Sequence, residues 1–286
     1  MPVHDDLGTR MKEYYEQIPK TRLMRRTPVA IRIDGKAFHT FTRGFKKPFD
    51  EVLIKTMQET TKYLCENIQG CVLGYTQSDE ITLILVDYKR LNSSAWFDYE
   101  VQKICSVSAS MATMAFNKFF KKNCDKWGRD TFVDWDLGGT NEIVDKEKLT
   151  LSETYIKAAE KGAMFDARCF NIPKEEVTNL VYWRQLDASR NSVQMVGQAY
   201  FSQNELDEKT CSNIQDMLMK QKGINWNDFP TYQKRGSCCI KVEKEIDLSP
   251  GQGIQYRTEW IIDKDIPQFK GEGREYIEKL IKAEEE

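Results

Sequence analysis

The chain has 286 residues, of which 40% are hydrophobic, 30% are charged, 16 are Gly and 8 are Pro. This composition is typical of a globular protein and excludes a collagen-like, low-complexity or largely disordered chain. The 42 basic and 44 acidic residues nearly cancel, so no global positive charge holds nucleic acid non-specifically. The first 50 residues carry 11 basic and 6 acidic side chains, a local charge of +5, and a polyanion is expected to favour this part.

The eight cysteines contain no CxxC pair, and only His4 and His39 could join them in a zinc site. We expect buried free thiols, because free cysteine packs as a small hydrophobe. The N-terminal residues MPVHDDLG have neither a basic start nor an apolar run, and no stretch approaches the ~20 apolar residues of a membrane span. The sequence therefore predicts a reduced, cytoplasmic protein.

The first part of the chain alternates helical and strand-like patterns. The predicted elements are, in chain order, a helix over 7–17, a strand over 28–34, a helix over 50–67 with Asp50 as its N-cap, two hairpin strands over 71–77 and 81–87, and a long helix over 96–121. The order strand, helix, strand, strand, helix is most of a ferredoxin-like split βαβ unit. The predicted fold class is therefore α+β.

The rest of the chain shows weaker secondary-structure patterns. They predict a loop over 131–139, a helix over 151–161, a strand over 167–172, helices over 175–201 and 205–223, two strands over 238–248 and 254–262 flanking a turn at 249–253, and a charged helix from 271. We find no internal repeat and no flexible linker. We expect a core over 1–240, with 241–286 as a hairpin and helix elaboration of the same compact unit.

Acidic residues stand where the predicted strands end. Asp34 follows the first strand, and Asp79 and Glu80 occupy the turn of the hairpin. In a split βαβ sheet these strands are neighbours, so Asp34 and Asp79 can meet at one edge. Two carboxylates there would repel one another unless a divalent cation compensates them. Magnesium suits such a site, and two ions about 3.5 to 4 Å apart would stabilise the attacking and leaving oxygens of a phosphoryl displacement.

The neighbouring residues suit a nucleotide triphosphate. Gly35 permits close backbone approach, and the loop after it can form an anion-binding nest, while Lys47 and Lys103 offer positive charge. Each feature alone also has a structural interpretation: an Asp-Gly pair is commonly a turn, a hairpin acid is commonly solvated, and His39 is commonly a surface residue. In combination, the two acidic turns favour metal-dependent nucleotide chemistry.

Two stretches of the sequence are specific enough to indicate a protein family. RIDGKAFHTFTRGFKKPFD at 32–50, followed by GYTQSDEITLIL at 74–85, resembles the tRNA(His) guanylyltransferase superfamily, whose members add nucleotides to tRNA 5′ ends in the 3′-to-5′ direction. Weaker matches are WF at 96–97 with Lys103 and Ser106, FDAR at 165–168, YWRQLD at 182–187 and KRG at 234–236. The resemblance implies a polymerase-like palm, in agreement with the split βαβ order.

The resemblance also implies residue roles. Asp34 and Asp79 would be the catalytic carboxylates that hold two Mg²⁺ ions, with the Gly35 carbonyl as a further ligand and Glu80 supporting catalysis. The nucleotide would be bound by Gly35, Lys36, Ala37, Phe38, His39, Lys47, Asp50, Ser78 and Lys103. A second phosphate or the tRNA would be bound by Arg168, Asn191, Lys234 and Arg235, although solvated surface charge is an alternative for the three cations.

The implied chemistry starts with activation of a tRNA 5′-monophosphate by ATP or GTP. The 3′-hydroxyl of an incoming nucleotide then attacks the activated phosphate, and pyrophosphate leaves the added residue. Each step is a displacement at phosphorus, so one two-metal centre could serve them all. The resemblance further implies tRNA and nucleoside triphosphates as partners and a homotetrameric assembly.

One departure from the family pattern is informative. Eukaryotic members that add an untemplated guanylate to tRNA-His carry HINN where this chain has Ser189, Arg190, Asn191 and Ser192. The chain is therefore similar to the guanylyltransferase-like proteins, which extend truncated tRNA 5′ ends by templated addition. Untemplated tRNA(His) guanylylation is the alternative.

Two other classes use related folds. An RRM-like RNA-binding module shares the βαββαβ order, but its central strands carry base-stacking aromatics. The hairpin strands here offer only Tyr75, and acidic residues stand where metal would bind. A nucleotidyl cyclase is the enzymatic rival, and the FKKPFD and QSDE stretches favour the transferase.

Overall fold

A computed structural model describes residues 6–132, 146–247 and 254–283. The loop predicted over 131–139 lies outside these residues from 133 onward, and the turn predicted at 249–253 lies wholly outside them. The strands are β1 Val29–Gly35, β2 Cys71–Gln77, β3 Glu80–Leu85, β4 Phe165–Asn171, β5 Ser237–Asp247 and β6 Ile254–Asp263. They form one sheet in the order β4-β1-β3-β2-β5-β6, and all of its pairs are antiparallel.

The helices flank this sheet, which makes the fold α+β as predicted. They are α1 Asp6–Met11, α2 Phe38–Phe41, α3 Glu51–Asn67, α4 Val101–Phe132, α5 Lys146–Lys161, α6 Val177–Tyr200, α7 Gln203–Leu206, α8 Cys211–Met217, α9 Thr231–Arg235 and α10 Glu275–Glu278. Shorter 3₁₀ turns cover Trp96–Tyr99, Lys174–Glu176, Trp226–Asp228, Gly271–Arg274 and Lys279–Ile281, and π-helical turns cover Lys12–Glu16 and Leu218–Lys222.

The first four strands have the ferredoxin-like order β4-β1-β3-β2, which confirms the split βαβ prediction. The register of β1 against β3 runs from Val29 opposite Leu85 to Asp34 opposite Glu80. The hairpin β5–β6 extends this sheet, because β5 pairs with the free edge of β2.

Both faces of the sheet are covered, which explains why β1 and β3 are apolar almost throughout. On one face Ile31 and Leu83 pack with Leu64 of α3 and Phe116 of α4. On the other face Ala30 and Ile84 pack in a second cluster with α6 and the C-terminal turns, formed by Val177, Val181, Phe269, Ile277 and Ile281. The acidic end of β1 therefore lies at the rim of a rigid two-sided core.

Three predicted helices differ from the observed ones. The helix predicted over 96–121 begins later, at Val101, because the preceding residues Phe97 and Asp98 have left-handed backbone angles. The helix predicted over 205–223 is interrupted, since Glu208 is also left-handed and Thr210 starts a new helix as its N-cap. The helix predicted from 271 consists of short turns instead.

The cysteines are free thiols, as expected. Four of the eight are buried and the others are half-buried. Within the described residues, no helix combines the length and apolar composition needed to cross a bilayer.

Candidate active site

Carboxylates from three strands converge at one end of the sheet. Asp34 of β1 lies opposite Glu80 of β3 on one side and Asp166 of β4 on the other. Directly opposed residues point to the same face of a sheet, so these three side chains form an acidic row. Asp79 precedes Glu80 in the two-residue turn that joins β2 to β3. The structure thus brings Asp34 and Asp79 to the same end of the sheet.

The electrostatics of Asp79 reflect this crowding. Burial is the main reason that the pKa of the Asp79 carboxyl lies above its ordinary value. The hydrogen bond from Ser78 Oγ, at 2.9 Å, opposes the rise in pKa. The negative charges of Asp34 and Glu80 add to the rise. Negative charge at this place therefore lacks full compensation within the chain.

A cleft of about 530 Å³ opens beside Asp79. Eight residues of the sequence prediction line it, namely Gly35, Ala37, Phe38, His39, Lys47, Asp50, Ser78 and Asp79. The sequence did not single out seven further lining residues: Thr42, Phe45, Lys46, Pro48, Leu53, Met195 and Gln198. Met195 and Gln198 belong to α6, more than a hundred residues after the loop, and nothing in the local pattern relates them to it.

The loop after β1 is shaped by close packing. A Cβ atom at Gly35 would lie 2.1 Å from Cδ2 of Phe38, so only glycine fits there. Ala37 has a left-handed backbone with a φ of 53°. Phe38 is anchored by ring contacts at centroid distances of 5.5 Å to Phe116 and 5.3 Å to Phe165. The loop backbone is therefore held rigidly at the mouth of the cleft.

The β2–β3 turn carries a second unusual backbone. Ser78 has a left-handed φ of 48°, which costs a residue with a Cβ about 1 to 2 kcal/mol. Two such residues, Ala37 and Ser78, line the same cleft. Strained backbone of this kind concentrates at active sites and ligand-binding loops.

Asp50 organises the lysine side of the cleft. As predicted, it is the N-cap of α3, and its Oδ1 accepts a hydrogen bond from the Leu53 amide at 2.9 Å. Its Oδ2 accepts from the Lys46 amide at 3.0 Å and from the Tyr155 hydroxyl at 2.7 Å. These contacts fix the backbone that carries Lys46 and Lys47.

Lys103 does not reach the cleft in this chain. The reason is the direction of α4: its first turn lies beside β4 at Cys169, whose Sγ is 3.9 Å from the Val101 carbonyl oxygen. The helix reaches the active end of β4 only at Thr113, whose Oγ1 accepts a hydrogen bond from the Phe165 amide at 3.2 Å. The sequence identified the helix but could not locate its start relative to the sheet.

Lys36 and Arg168 also lie outside the cleft lining. Lys36 is exposed, and its amide donates to the Met164 carbonyl at 2.9 Å. Arg168 lies opposite Arg32 in the sheet and donates to Asp166 at 3.1 Å, with both partners more than half exposed. Exposed ion pairs of this kind are weak, so the guanidinium can exchange its partner for a phosphate.

The residues predicted for a second phosphate or tRNA are dispersed. Asn191 lines a smaller pocket of about 80 Å³ that shares Ser78 with the cleft. The Lys234 ammonium is buried, lies 5.5 Å from the Trp226 ring and donates to a backbone carbonyl, and burial lowers its pKa. Lys234 is thus occupied inside the chain. Arg235 is half-buried, and its carbonyl accepts a hydrogen bond from the Tyr75 hydroxyl at 2.6 Å.

Glu80 differs from the other predicted carboxylates. Its side chain is buried, and both of its oxygens accept hydrogen bonds from Arg184 of α6, at 2.7 and 2.8 Å.

Among the described residues, no group of three or more His, Cys, Asp or Glu side chains is arranged to hold a metal ion. Magnesium requires only one or two carboxylates when substrate phosphates complete its coordination.

Comparisons with known proteins identify the family of the chain. Residues 8–173, more than half of the chain, match the family described as tRNA(His) guanylyltransferase. A bacterial tRNA(His) guanylyltransferase-like protein in complex with ATP is 38% identical, with a TM-score of 0.74 over 96% of this chain and 99% of that one. One in complex with GTP is 36% identical, with a TM-score of 0.71 over the same shares.

A curated relative extends the comparison to fungi. The tRNA(His) guanylyltransferase of Candida glabrata is 26% identical over 244 residues, which cover 79% of this chain and 87% of its own. The family match, these similarities and the shared α+β fold lead to one conclusion: the chain belongs to the tRNA(His) guanylyltransferase family and is a nucleotidyltransferase.

Proposed function

We propose that this protein adds nucleotides to the 5′ end of tRNA in the 3′-to-5′ direction, directed by the opposing base, after activation of the 5′ phosphate with ATP or GTP. The cleft beside Asp79 carries this proposal, because it combines a rigid loop backbone, two lysines and the Asp79 carboxylate, at the end of the sheet where Asp34 also lies. Its ligands are proposed by similarity, since the two bacterial relatives above were solved with ATP and with GTP.

Two Mg²⁺ ions fit the donor set at the mouth of the cleft. The Asp34 and Asp79 carboxylates and the Gly35 carbonyl are the hard oxygen donors that this ion prefers. Burial is the main cause of the raised pKa of Asp79, and the nearby charges of Asp34 and Glu80 raise it further, so a bound cation would relieve unfavourable negative charge there. When bound, magnesium supplies charge neutralisation at the attacking and leaving oxygens of a phosphoryl transfer.

The chain's own groups position the nucleotide. The amides of Ala37, Phe38 and His39 come at the start of a helical turn, where N–H groups have no partner within the helix. Lys46 and Lys47 flank the same cleft, so amide and ammonium donors can hold a triphosphate together. Positioning and charge neutralisation supply most of the catalysis of phosphoryl transfer, so one such site can serve activation and addition.

The segment that replaces HINN supports the templated reaction. Ser189 and Ser192 hydroxyls donate to backbone carbonyls within α6, at 3.0 and 2.8 Å. Ser192 Oγ also accepts the Trp226 indole N–H at 3.1 Å. These two serine positions therefore serve helix packing, whereas Asn191 remains exposed for substrate.

The test is incorporation of labelled GTP into tRNA that lacks its first nucleotide, in the presence of Mg²⁺. One set of tRNAs carries a cytosine opposite the vacant position and a matched set carries an adenine there. We expect faster addition to the cytosine set. Equal rates on both sets would contradict templating, and addition confined to full-length tRNA-His would favour untemplated guanylylation.

We also propose a homotetramer. The helical segment over 6–16 contains no buried residue, and Leu7, Tyr14 and Tyr15 are each about 60% exposed. Apolar side chains in this density are typical of a surface that another chain covers. Light scattering should give a mass near four chains, and a monomeric mass would contradict the assembly.

A further inference from the structure

Glu80 and Arg184 form the most enclosed ion pair at the acidic end of the sheet. Arg184 Nε lies 2.7 Å from Glu80 Oε1, and the two side chains are only 8% and 7% exposed. Arg184 Nη2 adds a second hydrogen bond to Glu80, at 2.8 Å, and one to Asp187 of the same helix, also at 2.8 Å. Such a two-pronged pair fixes both orientation and distance.

The location of Glu80 explains why it needs this partner. It follows Asp79 directly and lies opposite Asp34 in the register, so three carboxylates share a small space. A buried carboxylate without a partner is strongly unfavourable. Arg32 is a second, weaker cationic neighbour, because its Nε lies 3.7 Å from Glu80 Oε1, within ion-pair range but too far for a hydrogen bond.

We propose that Arg184 is a positioning residue of the nucleotidyl-transfer site, an inference that rests on the proposed function above. It neutralises Glu80 and holds that side chain away from the metal site. Because Glu80 is continuous with the Ser78–Asp79 turn, the pair also fixes the direction of Asp79. Asp34 and Asp79 then remain as the two uncompensated carboxylates that bind Mg²⁺.

The same ion pair sets the position of α6 at the cleft. Arg184 lies on the helix that also carries Met195 and Gln198, which line the cleft opposite the loop after β1. Arg184 itself is too buried to touch a substrate. Its effect must therefore pass through Glu80 and the helix rather than through direct contact with the nucleotide.

The experiment measures binding of labelled ATP by equilibrium dialysis across a range of Mg²⁺ concentrations, without tRNA, using the full chain. The variants are Arg184→Gln, Arg184→Lys and the double variant Glu80→Gln with Arg184→Gln. Arg190→Gln is the matched control, because Arg190 pairs with Asp187 at 3.0 Å from the same helix but is exposed. Melting temperature is recorded for each.

We expect Arg184→Gln to raise the Mg²⁺ concentration for half-maximal ATP binding by roughly 10- to 100-fold, the usual effect of losing a residue that orients a metal ligand. The lysine variant should show a smaller shift, since it keeps the charge but not the paired geometry. The double variant should move back toward the wild-type value, because it removes the buried carboxylate at position 80 together with its main partner. Arg190→Gln should behave as wild type.

A folded Arg184→Gln protein with wild-type Mg²⁺ dependence would overturn the proposal. A double variant as impaired as Arg184→Gln would also overturn it, by showing that Arg184 does not act through Glu80. If Arg184→Gln does not fold, the lysine and double variants provide the same comparison. Failure of the wild-type chain to bind ATP with Mg²⁺ would instead contradict the proposed function.

Discussion

The hydroxyl of Tyr155 in α5 donates a 2.7 Å hydrogen bond to the carboxylate of Asp50, a residue 105 positions earlier in the chain. The Tyr155 ring also packs edge-on against Phe45, with ring centroids 5.2 Å apart. Through Asp50, this contact reaches the Lys46 amide at the cleft. A helix distant in sequence thereby stabilises the lysine side of the site.

Removal of the Tyr155 hydroxyl should lower the stability of the folded protein. Tyr155→Phe should lower the free energy of unfolding by about 1.5 to 3 kcal/mol, the usual contribution of a hydrogen bond to a charged group. Urea denaturation measures this change. The exposed Tyr200→Phe is the control, and an equal loss there would show that the effect does not come from the contact with Asp50.

Asp79→Asn should separate activity from stability. We expect nucleotide addition to fall by at least about 10²-fold, since one carboxylate of the metal pair is lost. Because the pKa of Asp79 is raised in the folded state, its charge costs stability at neutral pH, and the variant should unfold at the same or a higher temperature.

The stability difference between the Asp79→Asn variant and the wild type should depend on pH. The stability advantage of the Asp79→Asn variant should be present above the raised folded-state pKa and should disappear as pH falls below the ordinary value for aspartate. Calorimetry at a series of pH values checks it. A variant less stable than wild type at neutral pH would contradict the assigned direction of the pKa shift.

Gly35→Ala should damage the loop after β1. The added Cβ would meet the Phe38 ring at 2.1 Å, and such overpacking typically costs about 1 to 3 kcal/mol. Gly128→Ala in α4 is the matched control, because no atom lies within 4 Å of its Cβ. It should stabilise the protein by roughly 0.5 to 1 kcal/mol through helix propensity. Urea denaturation of both variants tests the contrast.

Lys47 and Lys103 should differ in their effect on nucleotide binding. Lys47 lines the cleft, whereas the Lys103 ammonium lies 5.9 Å from the Phe97 ring. Lys47→Met should raise the KM for ATP about tenfold, corresponding to the loss of one charge-assisted hydrogen bond. Lys103→Met should leave the KM for ATP nearly unchanged. A large increase in that KM would contradict the location of Lys103 outside the nucleotide-binding cleft.

The local patterns of the sequence were sufficient for the ferredoxin-like order and for the acidic turns. Strands β1, β2 and β3 are short apolar runs bounded by Asp34 and the Ser78–Asp79 turn. The apolar pattern and the turn residues at its ends are therefore sufficient to locate these strands. The family motifs also identified eight of the fifteen residues that line the cleft. The non-catalytic RNA-binding alternative is wrong, because the chain belongs to a family of nucleotidyltransferases.

Contacts between residues far apart in the sequence decided the partners and locations of the remaining site residues. The sequence alone determined the six strands, the location of Asp34 and Asp79 at one end of the sheet, and the family, because these depend on residues that are close in the chain or on sheet topology. Only the tertiary structure showed that Glu80 is neutralised by Arg184, 104 residues later, that Lys234 is buried and that Lys103 lies away from the cleft. Side-chain partners across such separations depend on how helices pack on the sheet, and no local pattern encodes that packing.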